Sequence, residues 1–289
     1  MDDGDLFSLI IQMRDVGGWE VNPIGCVTPS LRIYLDPSGP HRSSAEPCVD
    51  LFMLPHELRP SGRLVEELHN YCRGLAPKKI RNESVVSGEP VLEQRMSLTI
   101  GRTYHYVDLE NERDAAAEEK FSWALTLSRE AMNAAGCGGL GDLGCLINDY
   151  TTKNYISDHS DSDIDLVPNS PIGCYTDYCY DSEDTPRVEP GTNCRVIVFS
   201  RKLGNSKKDA GILVVATVPG LVYIMHNAQH GYKHGSPVPG NKLSAPCDPG
   251  VNRVSITVRV FVPKDEQTLG SSEFKKARFD DGPDKHADV

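Results

Sequence analysis

The stretch that decides how this chain folds is N-D-Y-T-T-K-N-Y-I-S-D-H-S-D-S-D-I-D, residues 148–165. It is polar and broken, yet segments of another kind flank it. C-L-I-N-D-Y (145–150) leads into it, and S-P-I (170–172) and C-R-V-I-V-F (194–199) follow it. Beyond lie G-I-L-V-V-A-T-V-P-G-L-V-Y-I-M (211–225) and R-V-S-I-T-V-R (253–259). Short Val- and Ile-rich runs bounded by turn residues read as strands. The candidates are 145–150, 155–158, 171–176, 194–201, 210–217, 221–226 and 252–262. Strands at this density predict a sandwich or a jelly-roll-like barrel.

The first half reads differently. Residues 1–47 carry Gly, Pro and Ser clusters and are expected to form an irregular N-terminal extension, with one short helix around Leu6–Arg14. V-D-L-F-M-L (49–54) reads as a strand, and Leu64, Leu68 and Tyr71 recur at helical spacing through Arg73. Residues 93–107 alternate and predict one or two strands. A helix is expected from Asp114 to Ala135, carrying Phe121, Trp123, Leu125, Leu127 and Met132, with Gly136 as its stop. Helices first and strands after predict helices packed on one face of a sheet. The acidic segment 177–193 reads as a loop inserted between two strands, and 263–289 as a polar tail. The main domain is thus expected over 48–262.

Composition narrows the partners. The 289 residues are 39% hydrophobic and 25% charged, enough for a buried core. A net charge of −11 argues against gripping long duplex DNA over a broad surface. The clusters Lys78, Lys79, Arg81 and Arg201, Lys202, Lys207, Lys208 read first as solvated turns. Nine cysteines at no disulfide-framework spacing favour a reducing, intracellular setting, cytoplasmic or nuclear. Cys174, Cys179 and Cys194 lack a nearby histidine pair for zinc. The start, M-D-D-G-D-L-F, has no signal-peptide character, and the apolar runs are too short and broken to span a membrane.

The opening stretch carries chemistry at His159 and Asp161, an H-x-D pair. On a strand, residues i and i+2 share a face, so an imidazole and a carboxylate stand side by side. Taken alone, the same letters describe a solvated acidic loop. His226, His230 and His234 lie four apart and could supply a third ligand. Gly231 and the preceding strand-like run disfavour a helix there, and G-S-P after His234 ends a strand. Two histidines and one carboxylate suit a non-heme iron centre with open positions. In R-V-S-I-T-V-R, Arg253, Ser255, Thr257 and Arg259 share one face. Inward arginines either meet a bound anion, carboxylates above all, or pair with an internal Asp or Glu.

Together these pieces resemble the AlkB-like Fe(II)/2-oxoglutarate dioxygenases over roughly residues 90–262. The resemblance lies in A-A-G (134–136), C-L-I-N-D-Y, H-S-D (159–161), M-H-N-A-Q-H-G-Y-K-H-G-S-P (225–237) and R-V-S-I-T-V-R. It implies a mainly β, α+β fold: a double-stranded β-helix (jelly-roll) core with supporting N-terminal helices. It implies that His159, Asp161 and His234 bind iron. Asn148, Tyr150, Arg253, Arg259 and Ser255 would hold 2-oxoglutarate, with Arg253 and Tyr150 at the distal carboxylate and Arg259 and Asn148 at the iron-chelating end. O2 and 2-oxoglutarate would be consumed, succinate released, and a hydroxylated N-methyl lost as formaldehyde. Asp163 matches an acidic position that contacts a flipped base in some members, and Arg102, Tyr104 and Tyr106 fall in the region of the base-reading lid. The substrate implied is methylated DNA or RNA, presented as a single strand or a flipped base to a monomeric enzyme. A protein side chain or small metabolite is the alternative substrate. A non-catalytic metal-binding module is the alternative class.

Overall fold

The computed structural model describes residues 6–23, 25–37, 46–75, 79–83, 90–92, 95–102, 115–139, 141–161, 166–201, 211–228 and 231–262. Fifteen strands and three α-helices appear among them. In chain order they are β1 (Ile10–Met13), β2 (Gly18–Val21), β3 (Leu31–Tyr34), β4 (Cys48–Met53), α1 (Gly62–Arg73), β5 (Lys79–Glu83), β6 (Pro90–Leu92) and β7 (Met96–Gly101). Then come α2 (Ala115–Lys120), α3 (Trp123–Ala134), β8 (Asp142–Tyr150), β9 (Ile156–His159), β10 (Ile172–Tyr180) and β11 (Arg195–Arg201). The last four are β12 (Gly211–Thr217), β13 (Leu221–His226), β14 (Tyr232–Ser236) and β15 (Val251–Phe261). The fold is mainly antiparallel β.

Two large sheets hold the core. One has eight strands in the order β2-β3-β4-β13-β10-β15-β8-β7, the other five in the order β1-β12-β11-β14-β9. Alternation decides which side chains go where. On β10, Ile172, Cys174 and Tyr178 join the core that also takes Ile197, Phe199, Leu213 and Val215 of the second sheet. Tyr175 and Cys179 of the same strand face the other way, to a second core built with the helices. From α1, Val65, Leu68 and Cys72 enter that core, and from α3 Leu127, Ala131 and Met132 do. The layers are therefore helices, eight-stranded sheet, five-stranded sheet. β12 is buried along its whole length, which explains its unbroken apolar run.

Most expected strands form at their expected places, but four readings are corrected. Residues 6–14 give a short 3-10 turn and strand β1, which pairs with β12, in place of a helix. The segment read as an irregular extension supplies three strands, and Leu9, Leu31, Ile33 and Leu35 are buried. Its Gly and Pro clusters masked the alternation of Leu31, Ile33 and Leu35. The single long helix is two, α2 and α3, broken at Phe121–Ser122. Its residues 121, 123, 125 and 127 are apolar at every second position, which one straight helix cannot bury on one face. Phe121 turns inward against Tyr71 of α1, with ring centroids 5.1 Å apart. Finally, residues 177–180 extend β10 and pair with β15, so the loop between strands is shorter than 177–193. The tail 263–289 lies outside the described residues. No helix among the described residues is long and apolar enough to cross a membrane.

Gly136 ends α3 as the sequence predicts, with φ +71°. A Cβ there would lie 1.8 Å from the carbonyl oxygen of Gly25. Side chains rarely adopt that backbone region, and the clash falls on backbone rather than on a flexible chain end. Gly136→Ala is expected to lower the unfolding free energy by about 3 kcal/mol or more. Denaturant titration reads it, and a loss under about 1 kcal/mol would show that the 25–136 contact is not made.

Candidate metal and cosubstrate site

β9 and β14 pair so that His159 lies opposite His234, their ring centroids 4.4 Å apart. Asp161 follows two residues after His159, just past the end of β9. One donor atom from each of His159, Asp161 and His234 lies within 4.8 Å of the others. His234 Nε2 is 3.5 Å from Asp161 Oδ2. The His159 Nδ1–H donates to the Ser157 carbonyl at 2.9 Å, which leaves Nε2 with its lone pair for a metal. Phe199 of β11 lies opposite His234 of β14, their ring centroids 6.3 Å apart.

Electrostatics keep the donors in ligand form. Burial, with His159 second, pushes His234 down to about 3, so its imidazole is neutral at physiological pH. Burial likewise lowers His159. Burial alone would raise Asp161, but Arg259, His234 and His159 outweigh it and hold the carboxyl well below the usual range. Arg259 Nη2 donates to Asp161 Oδ1. The other oxygen, Oδ2, is buried without a hydrogen-bond partner. Two neutral imidazoles and one carboxylate with a spare oxygen suit a divalent transition metal such as iron.

The opposite wall is the eight-stranded sheet. β15 pairs with β8 so that Arg253 faces Tyr150, Ser255 faces Asn148 and Arg259 faces Gly144. On its other side β15 sets Arg253 against Tyr178 and Ser255 against Thr176 of β10. These five expected cosubstrate residues therefore lie in register on two neighbouring strands. Arg253 is 1% exposed, and among the described residues its guanidinium donates only to hydroxyls: Ser236 Oγ at 3.3 Å and Thr176 Oγ1 at 3.1 Å. Its Nε has no hydrogen-bond partner among the described residues. A buried cation on neutral partners alone is costly, and a carboxylate is its best-matched complement.

Several expectations fall elsewhere. His226 is held by Asp50 at 2.9 Å, and Asp50 also takes a two-pronged bond from Arg32 at 2.7 Å. His226 is thus a member of a separate ion-pair cluster. Arg102 donates to the Val262 carbonyl at 3.3 Å, lies 3.9 Å from Asp142 and stacks over Phe261. The structure gives it these local partners. Asp163, Tyr104, Tyr106 and His230 lie outside the described residues. All nine cysteines are free.

Two site arginines escaped the sequence reading. Arg95, buried just before β7, donates from Nε to Asn148 Oδ1 at 2.6 Å. Because an arginine only donates, Asn148 must present its Nδ2 elsewhere. Arg195 opens β11, and its signal was a cation heading the apolar run V-I-V-F.

No family model matches the chain, and no curated protein does. Solved structures similar to it include a Pseudomonas putida prolyl-4-hydroxylase, at 14% identity and a TM-score of 0.36, over 74% of this chain and 92% of that one. OsALKBH1 is similar at 14% identity and a TM-score of 0.36, over 73% of this chain and 96% of that one. Likenesses at this level leave the site's own geometry to carry the functional reading.

Linkage gives the pH response of the metal-free site. A histidine whose folded value lies below its unfolded one takes up a proton on unfolding. The contribution of His234 is therefore complete above about 6.5 and is lost as pH falls toward about 3. Asp161, lowered from 3.8, acts only below that value. Between pH 6.5 and 5, His234→Gln is expected to flatten the fall in stability, by at most about 1.4 kcal/mol per pH unit. Parallel wild-type and variant curves over that window would contradict the depressed histidine.

Proposed function

We propose that this chain is an Fe(II)- and 2-oxoglutarate-dependent dioxygenase on a double-stranded β-helix. The reading is carried by one juxtaposition: a His159–Asp161–His234 donor cluster, and across the sheets a buried Arg253 without a carboxylate partner among the described residues. His159, Asp161 and His234 would hold the metal. Bound there, Fe(II) would supply the O2 activation that couples decarboxylation of 2-oxoglutarate to oxidation of a second substrate. Arg259 fixes the Asp161 carboxylate and leaves Oδ2 for the metal. Arg253 and Tyr150 would receive the distal carboxylate, and Asn148, turned by Arg95, would offer its amide N–H at the near end with Ser255 beside it.

For the substrate we propose an alkylated nucleobase in DNA or RNA, demethylated after flipping out of its stack. Its support is the H-S-D-S-D motif and the place of Asp163 in it. A net charge of −11 favours a second reading, hydroxylation or demethylation of a protein side chain or metabolite.

Succinate should form from 2-oxoglutarate when Fe(II) is present, and Asp161→Ala should cut that rate at least about 100-fold. A rate equal to wild type would remove Asp161 from the centre. Arg253→Ala should raise the KM for 2-oxoglutarate about 100-fold while the rate at saturation changes far less. An unchanged KM would sink the cosubstrate assignment. Mass spectrometry on a panel of methylated oligonucleotides decides the substrate class: turnover without any change in oligonucleotide mass would exclude the nucleobase reading.

A further inference from the structure

A second buried arginine stands beside Arg253. Arg195 is 2% exposed at the head of β11. Its guanidinium carbon lies 5.0 Å from the centroid of the Tyr150 ring, and that of Arg253 lies 5.3 Å from the same centroid. Nη1 of Arg195 donates to the Thr151 carbonyl at 2.8 Å. Nη2 donates to the carbonyls of Asn154 at 2.6 Å and Pro237 at 3.1 Å. These bonds tie down the residue after Tyr150 and the residue after Ser236, the hydroxyl partner of Arg253. Tyr178, opposite Arg253 on β10, accepts the Arg195 backbone N–H at 2.9 Å.

A clamp on three carbonyls would account for the loops. It does not account for a second full charge beside Arg253. Burial, and after it the charge of Arg253, lowers Arg195 to about 10. No carboxylate pairs with either guanidinium among the described residues, and the Nε of each is buried without a hydrogen-bond partner. Two buried donors and two like charges around one aromatic ring call for an anion with two acceptor oxygens.

We propose that Arg195 is a positioning residue that sets the site's preference for a dicarboxylate: it holds Tyr150 in place and adds its charge to that of Arg253 at the distal carboxylate. The inference rests on the assignment of Arg253 to that carboxylate. Its consequence is selectivity as well as affinity, because only a ligand with a distal negative charge draws on the second cation.

The test compares 2-oxoglutarate with 2-oxopentanoate, which has the same chain length and 2-oxo acid end but no distal carboxylate. Binding is measured by calorimetry on the full chain loaded with Mn(II). Wild type should prefer 2-oxoglutarate by about 100-fold or more, and Arg195→Met should reduce that preference about tenfold. A loss of packing alone would weaken both ligands together and leave the ratio unchanged, and that result would overturn the inference. Wild type binding both ligands equally, or neither, would instead overturn the dicarboxylate reading. Should Arg195→Met fail to fold, Arg195→Gln keeps a hydrogen-bond donor for the loop carbonyls and removes the charge. A preference at least threefold below wild type is then expected, and an undiminished one overturns the proposal.

Discussion

The ion pair between Asp161 and Arg259 is the constraint on which the rest of the site depends. Asp161 follows a strand of the five-stranded sheet, and Arg259 stands on β15 of the other. Both are buried, at 8% and 4% exposure. Desolvating two such charges costs several kcal/mol, and removing one partner of such a pair typically costs about 3–5 kcal/mol. The pair therefore ties the residue just past the end of β9 to β15 of the eight-stranded sheet. It also keeps Asp161 ionised beside two imidazoles that burial keeps neutral. A donor cluster made of loop, strand and strand is rigid because its one charged member is tied across the sheets.

The buried charges are unbalanced, and the imbalance points inward. Arg195, Arg253 and Arg259 are all buried between or beside the sheets, while Asp161 is the acid that meets any of them in an ion pair among the described residues. This happens in a chain whose net charge is −11. The acids lie elsewhere: Asp50 serves Arg32 and His226, and Asp149 serves His69. An interior with surplus cations is stable only if their donors are satisfied. Carbonyls do this in part for Arg195 and hydroxyls in part for Arg253, the Nε of each is left without a partner among the described residues, and neither set of acceptors neutralises charge. A dianionic ligand is the component that would.

How much of this was legible follows from periodicity. R-V-S-I-T-V-R reads as a strand with both arginines on one face because strand side chains repeat every two residues, and the register of β15 bears that out. The spacing of His159 and Asp161 was legible for the same reason. The pairing of β14 with β9, which brings His234 opposite His159, was not, since no local pattern encodes a contact across 75 residues of chain. Arg195 was hidden because a single arginine heading V-I-V-F looks like an ordinary strand edge. The N-terminal strands were hidden because their glycines and prolines dominate the composition, while burial is decided by three alternating aliphatics.

The helix layer completes the logic of the site through β8. Asn148 and Tyr150 face the second sheet, and Asp149 between them faces the helices. There His69 of α1 meets Asp149 Oδ1 at 2.7 Å, with both residues buried. A strand that slips by one residue exchanges its two faces. Such a slip would carry Asp149 toward Arg253, where it would form the carboxylate pair that the native register withholds. The guanidinium would then be neutralised from within, and a carboxylate ligand would compete with a covalently tethered one. By giving Asp149 a partner on the helix side, His69 stabilises the register in which Arg253 stays available. The charge of Arg253 is thus kept from an internal carboxylate by a contact on the far face of the sheet.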